Sequence, residues 1–270
     1  MLKIRVIPVL FLMNGLIVRS ERFSEFKVIG NPLSELERYS EWLADELVYA
    51  DITREGEHDL RRDDHKVKNI GDKLEILRAI SKRAFMPLTF GGLLRSMDDI
   101  DSCLMNGADK ILINSQAWRD RALVTAAASK HGSQAIVVGI DVKRDGGMLA
   151  VHIDQGRTRV NDDLAGWARA VEAAGAGEIL LNSIDRDGMA EGYDIEAIRV
   201  VADAVRIPVV ACGGVGDFSD FRAAIDDGHA SAVAAGNVFH FTEHSYKRAK
   251  RHLRDRGYDV RYPYRNGGQA

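Results

Sequence analysis

The chain has 270 residues, 46% of them hydrophobic, and a formal net charge of −3. That is ample apolar material for one large α/β barrel or two smaller domains. The near-neutral balance excludes the broad basic surface that nucleic acid or an anionic membrane would call for.

Short apolar, β-branched runs alternate with amphipathic stretches along the chain. "IRVIPVL" (4–10) reads as a first strand and "PLSELERYSEWL" (32–43) as a helix. "ELVYAD" (46–51), "MPLTF" (86–90) and "KILIN" (110–114) give strands two to four, and "VTAAASKH" (124–131) is helical. "AIVVGID" (135–141), "EILLNS" (178–183), "IPVVAC" (207–212) and "SAVAA" (231–235) complete eight strands. Eight strand–helix units over residues 1–257 predict a single-domain (β/α)8 TIM barrel, with an open doubly wound sheet as the alternative. Residues 258–270, ending in "RYPYRNGGQA", read as a loose tail. Cys103 and Cys212, with no C-x-x-C, read as buried thiols in a reducing cytoplasm rather than a disulfide. No stretch approaches the roughly 18 uninterrupted apolar residues of a membrane span, and the N-terminal run is broken by Asn14 and lacks a leader cleavage site.

An internal repeat favours the closed barrel. "ADELVYADITREG" (44–56) aligns with "AGEILLNSIDRDG" (176–188) at an offset of 132, and "MPLTFGG" (86–92) with "IPVVACGG" (207–214) from an offset of 121. The first strand aligns with the fifth at 130, which sets Phe11 opposite Asp141. Two half-barrels, roughly 1–130 and 131–257, therefore close one ring. The fall in offset puts extra residues in the charged stretch 54–72, read as a solvated loop or as a lid or partner contact.

In such barrels the reacting groups sit at the carboxyl ends of the strands. Gly91 and Gly92 follow strand three, Asn114 and Ser115 strand four, Gly213 and Gly214 strand seven, and Gly236 and Asn237 strand eight. Paired glycines let backbone approach a ligand, and the N–H groups that follow attract anions. Two such loops at symmetric places predict two phosphate sites across the mouth and a substrate phosphorylated at both ends. Asp51, Asp141, Asp185 and Asp187 are the acidic candidates. Asp141 is placed to transfer protons or, alternatively, to hold Lys143 or Arg144; Asp187 is either catalytic or a turn cap. No His/Asp/Glu cluster has metal-ligand spacing, so no metal or cofactor is expected, and His240 in "FHF" reads as packing against the last strand.

"PLTFGG", "GADKILINS", "GSQAIVVGIDVKR", "GAGEILLNSIDRDGMAEGYD" and "IPVVACGG" together resemble the cyclase subunit of imidazole glycerol phosphate synthase, over residues 1 to about 257. The sister isomerase of the preceding histidine-pathway step matches these blocks less well. The resemblance implies a glutaminase bound at the N-terminal face and ammonia passing up the barrel axis to a bisphosphorylated aminoimidazole carboxamide substrate. It places Arg19, Asp185, Asp187, Gly188 and the glycine loops around that substrate. It also implies two catalytic aspartates, of which Asp141 is present while Phe11 stands at the other position. Phenylalanine transfers no proton, and Arg19, where the family has lysine, gives up its proton far less readily.

The resemblance further implies an ammonia gate of four charges, Arg5, Glu46, Lys110 and Glu178, with Asp109 and Gln134 on the same face as docking candidates. "RFSEFKVIGNP" (22–32) and Phe11 are similar to a variant found with surface-polysaccharide genes, whose ammonia goes to an amidotransferase acting on an N-acetyl sugar. Three readings follow: a synthase subunit, a non-catalytic ammonia-conducting scaffold, or a sugar-phosphate isomerase, against which Phe11 counts.

Overall fold

The computed structural model describes residues 3–53, 72–161, 163–240 and 244–262. The charged stretch expected to carry the extra residues lies, except for Asp72, outside them.

Strand β1 (Arg5–Met13) runs into a hairpin arm, β2 (Leu16–Glu21) and β3 (Glu25–Gly30), before α1 (Pro32–Glu41). Then come β4 (Leu47–Asp51), α2 (Lys73–Ser81), β5 (Leu88–Gly91), α3 (Met97–Met105) and β6 (Lys110–Ile113). After α4 (Ser115–Arg119) and α5 (Arg121–His131), β7 (Ile136–Asp145) continues into a second arm, β8 (Met148–Ile153) and β9 (Thr158–Asn161). The chain finishes with α6 (Leu164–Ala173), β10 (Glu178–Ser183), α7 (Ile195–Ala202), β11 (Val209–Cys212), α8 (Ser219–Asp226), β12 (Ala232–Ala235) and α9 (Ser245–Arg254).

The ring runs β1–β4–β5–β6–β7–β10–β11–β12 with every pair parallel, and closes through Arg5 opposite Ala232. This is a closed eight-stranded (β/α)8 barrel. Helix starts are fixed locally: the Asn31 side chain accepts from the N–H of Leu33 ahead of Pro32, and Ser96 with Asp99 forms a capping box on α3. Buried apolar residues form two main cores and a small third cluster of Met13, Val18 and Ile52 beside the first hairpin arm. One fills the space between strands and helices, with Leu10, Tyr49, Phe90 and Ile179 facing outward to it. The other lies inside the barrel.

The two hairpin arms correct the expected plan of one helix after each strand. Phe11 and Asp141 do not end their strands; β1 continues to Met13 and β7 to Asp145, and each then folds back antiparallel. Both turns have two residues with positive φ, Asn14–Gly15 (52° and 81°) and Gly146–Gly147 (59° and 87°). That is the turn type whose twist matches a hairpin. The arms occupy equivalent places in the two halves, as the repeat requires. Past residue 257, Val260 bridges Ile4 and is buried, and Tyr258 donates its hydroxyl to Asp226.

Candidate functional site

Side chains alternate along a strand, so the inward face of each barrel strand can be followed from base to mouth. On β1 it reads Arg5, Ile7, Val9, Phe11; on β6, Lys110 and Leu112, with Asn114 just past its end; on β10, Glu178, Leu180, Asn182. The base carries charge. Arg5 Nη1 donates to Glu46 Oε1 at 2.8 Å and its other terminal nitrogen pairs with Glu178. Lys110 Nζ lies 3.1 Å from Glu46 Oε2 and 3.0 Å from Glu178 Oε2. Each cation bridges both carboxylates, so the four groups form a closed, charge-balanced ring across the axis. Burial works against the Arg5 charge, but Glu178 and Glu46 outweigh it and hold its pKa above the ordinary arginine value. Above the ring the interior is apolar, with Ile7, Val48, Leu112, Val137, Leu180 and Ala234 among its lining.

At the mouth, Asp141 is 7% exposed. Asn114 Nδ2 donates to its Oδ2 at 2.8 Å, and Asn182 Nδ2 to its Oδ1 at 3.4 Å. Burial pushes its pKa up to about 6, and the two amide donors moderate the rise. A buried carboxyl near neutrality is suited to give or take a proton. Neither Lys143 nor Arg144 holds it: Arg144 pairs with Asp194 and Glu196. Asp187, also buried, is raised to about 7 by desolvation, with Ser20 and the Phe23 N–H pulling against it and the charges of Asp141 and Glu21 adding to it. Among the described residues, Asp187 Oδ2 and Asn182 Oδ1 are buried without a hydrogen-bond partner.

A cavity of about 310 Å³ opens over Asp141, bounded by Phe11, Phe23, Gly92, Arg95, Ser115 and Asn182 among others. A recess of about 30 Å³ beside it holds Asp187, Gly188, Gly213, Gly214, Gly236 and Asn237, and Phe11 borders both.

The family model for histidine biosynthesis proteins matches residues 5–245. The chain belongs to that family, which contains the cyclase subunits that the sequence resembles.

This histidine biosynthesis family barrel brings most of the expected residues to its two faces, with differences in what they do. Asn114 and Ser115, expected at an anion, are engaged within the protein: Asn114 on Asp141, and Ser115 Oγ on the N–H of Asp154 at 2.9 Å. Arg19 pairs with Glu21 on its own strand and borders neither cavity, and Asp185 accepts from the Arg144 N–H at 2.6 Å. Gly92 and Gly214 have a packing reason as well as a possible ligand one. A Cβ on Gly92 would meet Asp51 O at 2.1 Å, and one on Gly214 would meet Gly192 O at 2.2 Å, both at positive φ. At the base, Asp109 accepts from the Leu88 N–H at 2.8 Å, anchoring the start of β5, while exposed Gln134 reaches only His131 O at 3.4 Å. The His240 side chain reaches α1, with Nδ1 2.8 Å from Arg38 and 3.4 Å from Glu35.

Sequence reasoning missed Asn182 and Phe23. The alternation Glu178–Leu180–Asn182 points Asn182 inward and was available. Phe23 carried no such signal, because it lies in the turn between β2 and β3. Among the described residues no three His, Cys, Asp or Glu side chains group as metal ligands, and no helix is long and apolar enough to cross a membrane.

Proposed function

We infer that this barrel is the synthase subunit of a glutamine-dependent complex of the imidazole glycerol phosphate synthase type. A glutaminase docked at the base releases ammonia, which passes the ring of Arg5, Glu46, Lys110 and Glu178, rises along the apolar axis and meets an acceptor at Asp141. The observation that carries this reading is the closed ring set beneath an apolar interior that ends at a buried carboxyl. Two cations and two anions satisfy one another in a partly dry space, so the ring can part for a small neutral molecule while excluding ions. Neutral ammonia loses far less than ammonium on leaving water, and the apolar lining favours that form. Asp141, with a pKa near 6, then takes or returns the protons that new carbon–nitrogen bonds release and require. Apolar side chains exposed on the base, Leu43, Phe85 and Met105, together with Asp109 and Gln134, suit a docked glutaminase.

Phe11 favours a second reading, in which ammonia delivery is kept and the acceptor has changed. It removes the second carboxylate that cyclisation uses in the family, so the ammonia goes instead to an N-acetyl sugar amidation, or through a scaffold to a third protein. Turnover of the bisphosphorylated aminoimidazole carboxamide substrate with saturating ammonium, for wild type and Phe11→Asp, separates the two. A missing acid–base group costs about 10²–10⁴ in rate. A variant faster than wild type by that margin supports the synthase ancestry of the site and the loss of cyclisation. Fast wild-type turnover removes the second reading, and silence from both removes the cyclase-type substrate.

A further inference from the structure

His240 follows β12 and borders the glycine-lined recess, yet its ring is held from outside the barrel by α1. Arg38 Nη2 donates to His240 Nδ1 at 2.8 Å, and the imidazole meets the Tyr39 ring edge to face at 6.5 Å. Arg38 is itself fixed on the helix. It pairs with Glu35 one turn earlier, and its guanidinium lies 5.4 Å from the Tyr39 ring centre and 5.3 Å from that of Trp42.

This contact decides where the imidazole keeps its proton. A guanidinium only donates, so Nδ1 is the acceptor of the bond. Glu35 stands farther from Nδ1, at 3.4 Å, and its carboxylate is already engaged by Arg38. The neutral ring therefore carries its proton on Nε2. Among the described residues no group accepts from that nitrogen, although the side chain is only 6% exposed. A nearly buried N–H without a partner is costly unless a ligand or water meets it. The recess holds a second group of this kind. Asp187 Oδ2 is buried without a partner among the described residues, and burial is the largest cause that raises its carboxyl to about 7. Near neutrality about half of the Asp187 population is protonated and able to donate as well.

We propose that His240 donates its Nε2–H to a phosphoryl oxygen of the acceptor at this recess, and that Arg38, outside the barrel on α1, is the positioning residue that fixes the tautomer able to do so. The inference rests on the reading of the mouth as the site of a phosphorylated acceptor, and it adds which side chains hold one end of that acceptor. A phosphate monoester has oxygens enough for His240, for protonated Asp187 and for the backbone of the glycine loops together. The tautomer matters because a ring protonated on Nδ1 would set N–H against N–H at Arg38 and present only a lone pair to the anion.

Nitrogen-15 NMR of the full chain, titrated with inorganic phosphate and with the bisphosphorylated aminoimidazole carboxamide substrate, tests both parts. The His240 signals are assigned by their loss in His240→Gln. Wild type is expected to show a protonated Nε2 and an unprotonated Nδ1, with the Nε2 resonance moving as a probe binds. Calorimetry with the same two probes compares variants. His240→Asn, whose amide falls short of the ε position, is expected to weaken binding at least about tenfold, as the loss of a hydrogen bond to a charged group does. His240→Gln, which keeps an N–H there, is expected to stay within about threefold of wild type. Arg38→Met is expected to populate the Nδ1–H tautomer and weaken binding at least about threefold, and Arg38→Lys, still a donor, to restore most of both. A proton on Nδ1 in wild type, an Nε2 resonance that neither probe moves, equal weakening by asparagine and glutamine, or an unchanged tautomer and affinity in Arg38→Met would each overturn the proposal, as would binding of neither probe. Inorganic phosphate bound at His240 with no binding of the bisphosphorylated substrate would leave the donor standing and remove only the acceptor named for the site.

Discussion

Asn114 on the loop after β6 donates its amide to Asp141 on β7 at 2.8 Å, so the two strands join their inward polar groups directly at the barrel mouth. The bond steadies the carboxylate, yet burial outweighs it and the pKa settles at about 6. The charged form is therefore carried at a cost to the fold at neutral pH.

Asp141→Asn should expose that cost. A carboxyl whose folded pKa is raised above its unfolded value, near 3.8, contributes most to stability below the unfolded pKa. That contribution is lost as pH rises through about 6. A rise of this size corresponds to roughly 3 kcal/mol. Relative to wild type, the asparagine variant should gain on the order of 5 °C in Tm between pH 4 and pH 8, most of it between pH 4 and 6.5. A thermal melt series across that range is the check. A difference in Tm that does not vary with pH would mean that Asp141 is not a desolvated carboxylate.

The base ring yields a prediction about balance. Lys110→Met leaves Arg5 alone to serve two glutamates, and Glu178→Gln leaves two cations on one. With side chains 10–24% exposed, each single change should cost roughly 1–3 kcal/mol, between the values for surface and buried pairs. The double variant restores neutrality and should cost clearly less than the sum of the two. Urea midpoints of the four proteins form the cycle. Additive costs would mean that the four charges act as independent surface groups.

The barrel itself was legible because its signals are local and repeated: β-branched runs, helix periods and a half-chain repeat. The hairpin arms were equally local in principle, since Asn14–Gly15 and Gly146–Gly147 are strong two-residue turn signals between apolar stretches. They were hidden by the expectation that every barrel strand leads to a helix. The charge ring was implied by the family resemblance, whereas its closure depends on side-chain reach across the axis. The contact between the Phe11 and Phe23 rings was not legible. Phe11 reads as a missing carboxylate, and nothing in the sequence says that a ring from a strained turn twelve residues later will meet it. Asn114 and Ser115 line the chamber as expected, while the hydrogen bonds that tie their side chains to Asp141 and to the Asp154 N–H depend on neighbours that residue type alone does not reveal.

The base also carries apolar surface that folding leaves uncovered. Phe85 is 91% exposed and Met105 86%, beside a groove that includes Pro87, Gly107 and Asp109. Because Phe85 touches so little of its own fold, Phe85→Ser should leave the denaturation midpoint nearly unchanged, within about 0.5 kcal/mol. If the glutaminase docks here, the same change should weaken its binding at least about tenfold. Titration of the barrel with the glutaminase subunit measures this. Unchanged affinity would move the docking surface away from this side of the base.

Lys250 on α9 has no solvent access, and its Nζ lies 2.5 Å from Asp45 Oδ1. Burial lowers the lysine pKa, and the Asp45 charge opposes that shift. The pair belongs to a buried network: Asp45 Oδ2 accepts from the Val6 N–H at 3.1 Å, while the Asp45 N–H donates to the Tyr246 hydroxyl, which donates on to Val6 O at 2.9 Å. Val6 and Asp45 adjoin Arg5 and Glu46, so the last helix fixes the backbone that carries half of the ring. Lys250→Met strands a carboxylate that is 6% exposed and should cost about 3–5 kcal/mol. Adding Asp45→Asn removes the stranded charge while keeping an acceptor for the Val6 N–H, and should recover at least half of that loss. Chemical denaturation of the two single variants and the double variant decides it. A double variant no more stable than Lys250→Met alone would show that the lysine acts through its packed stem, and that its charge contributes nothing to holding the base.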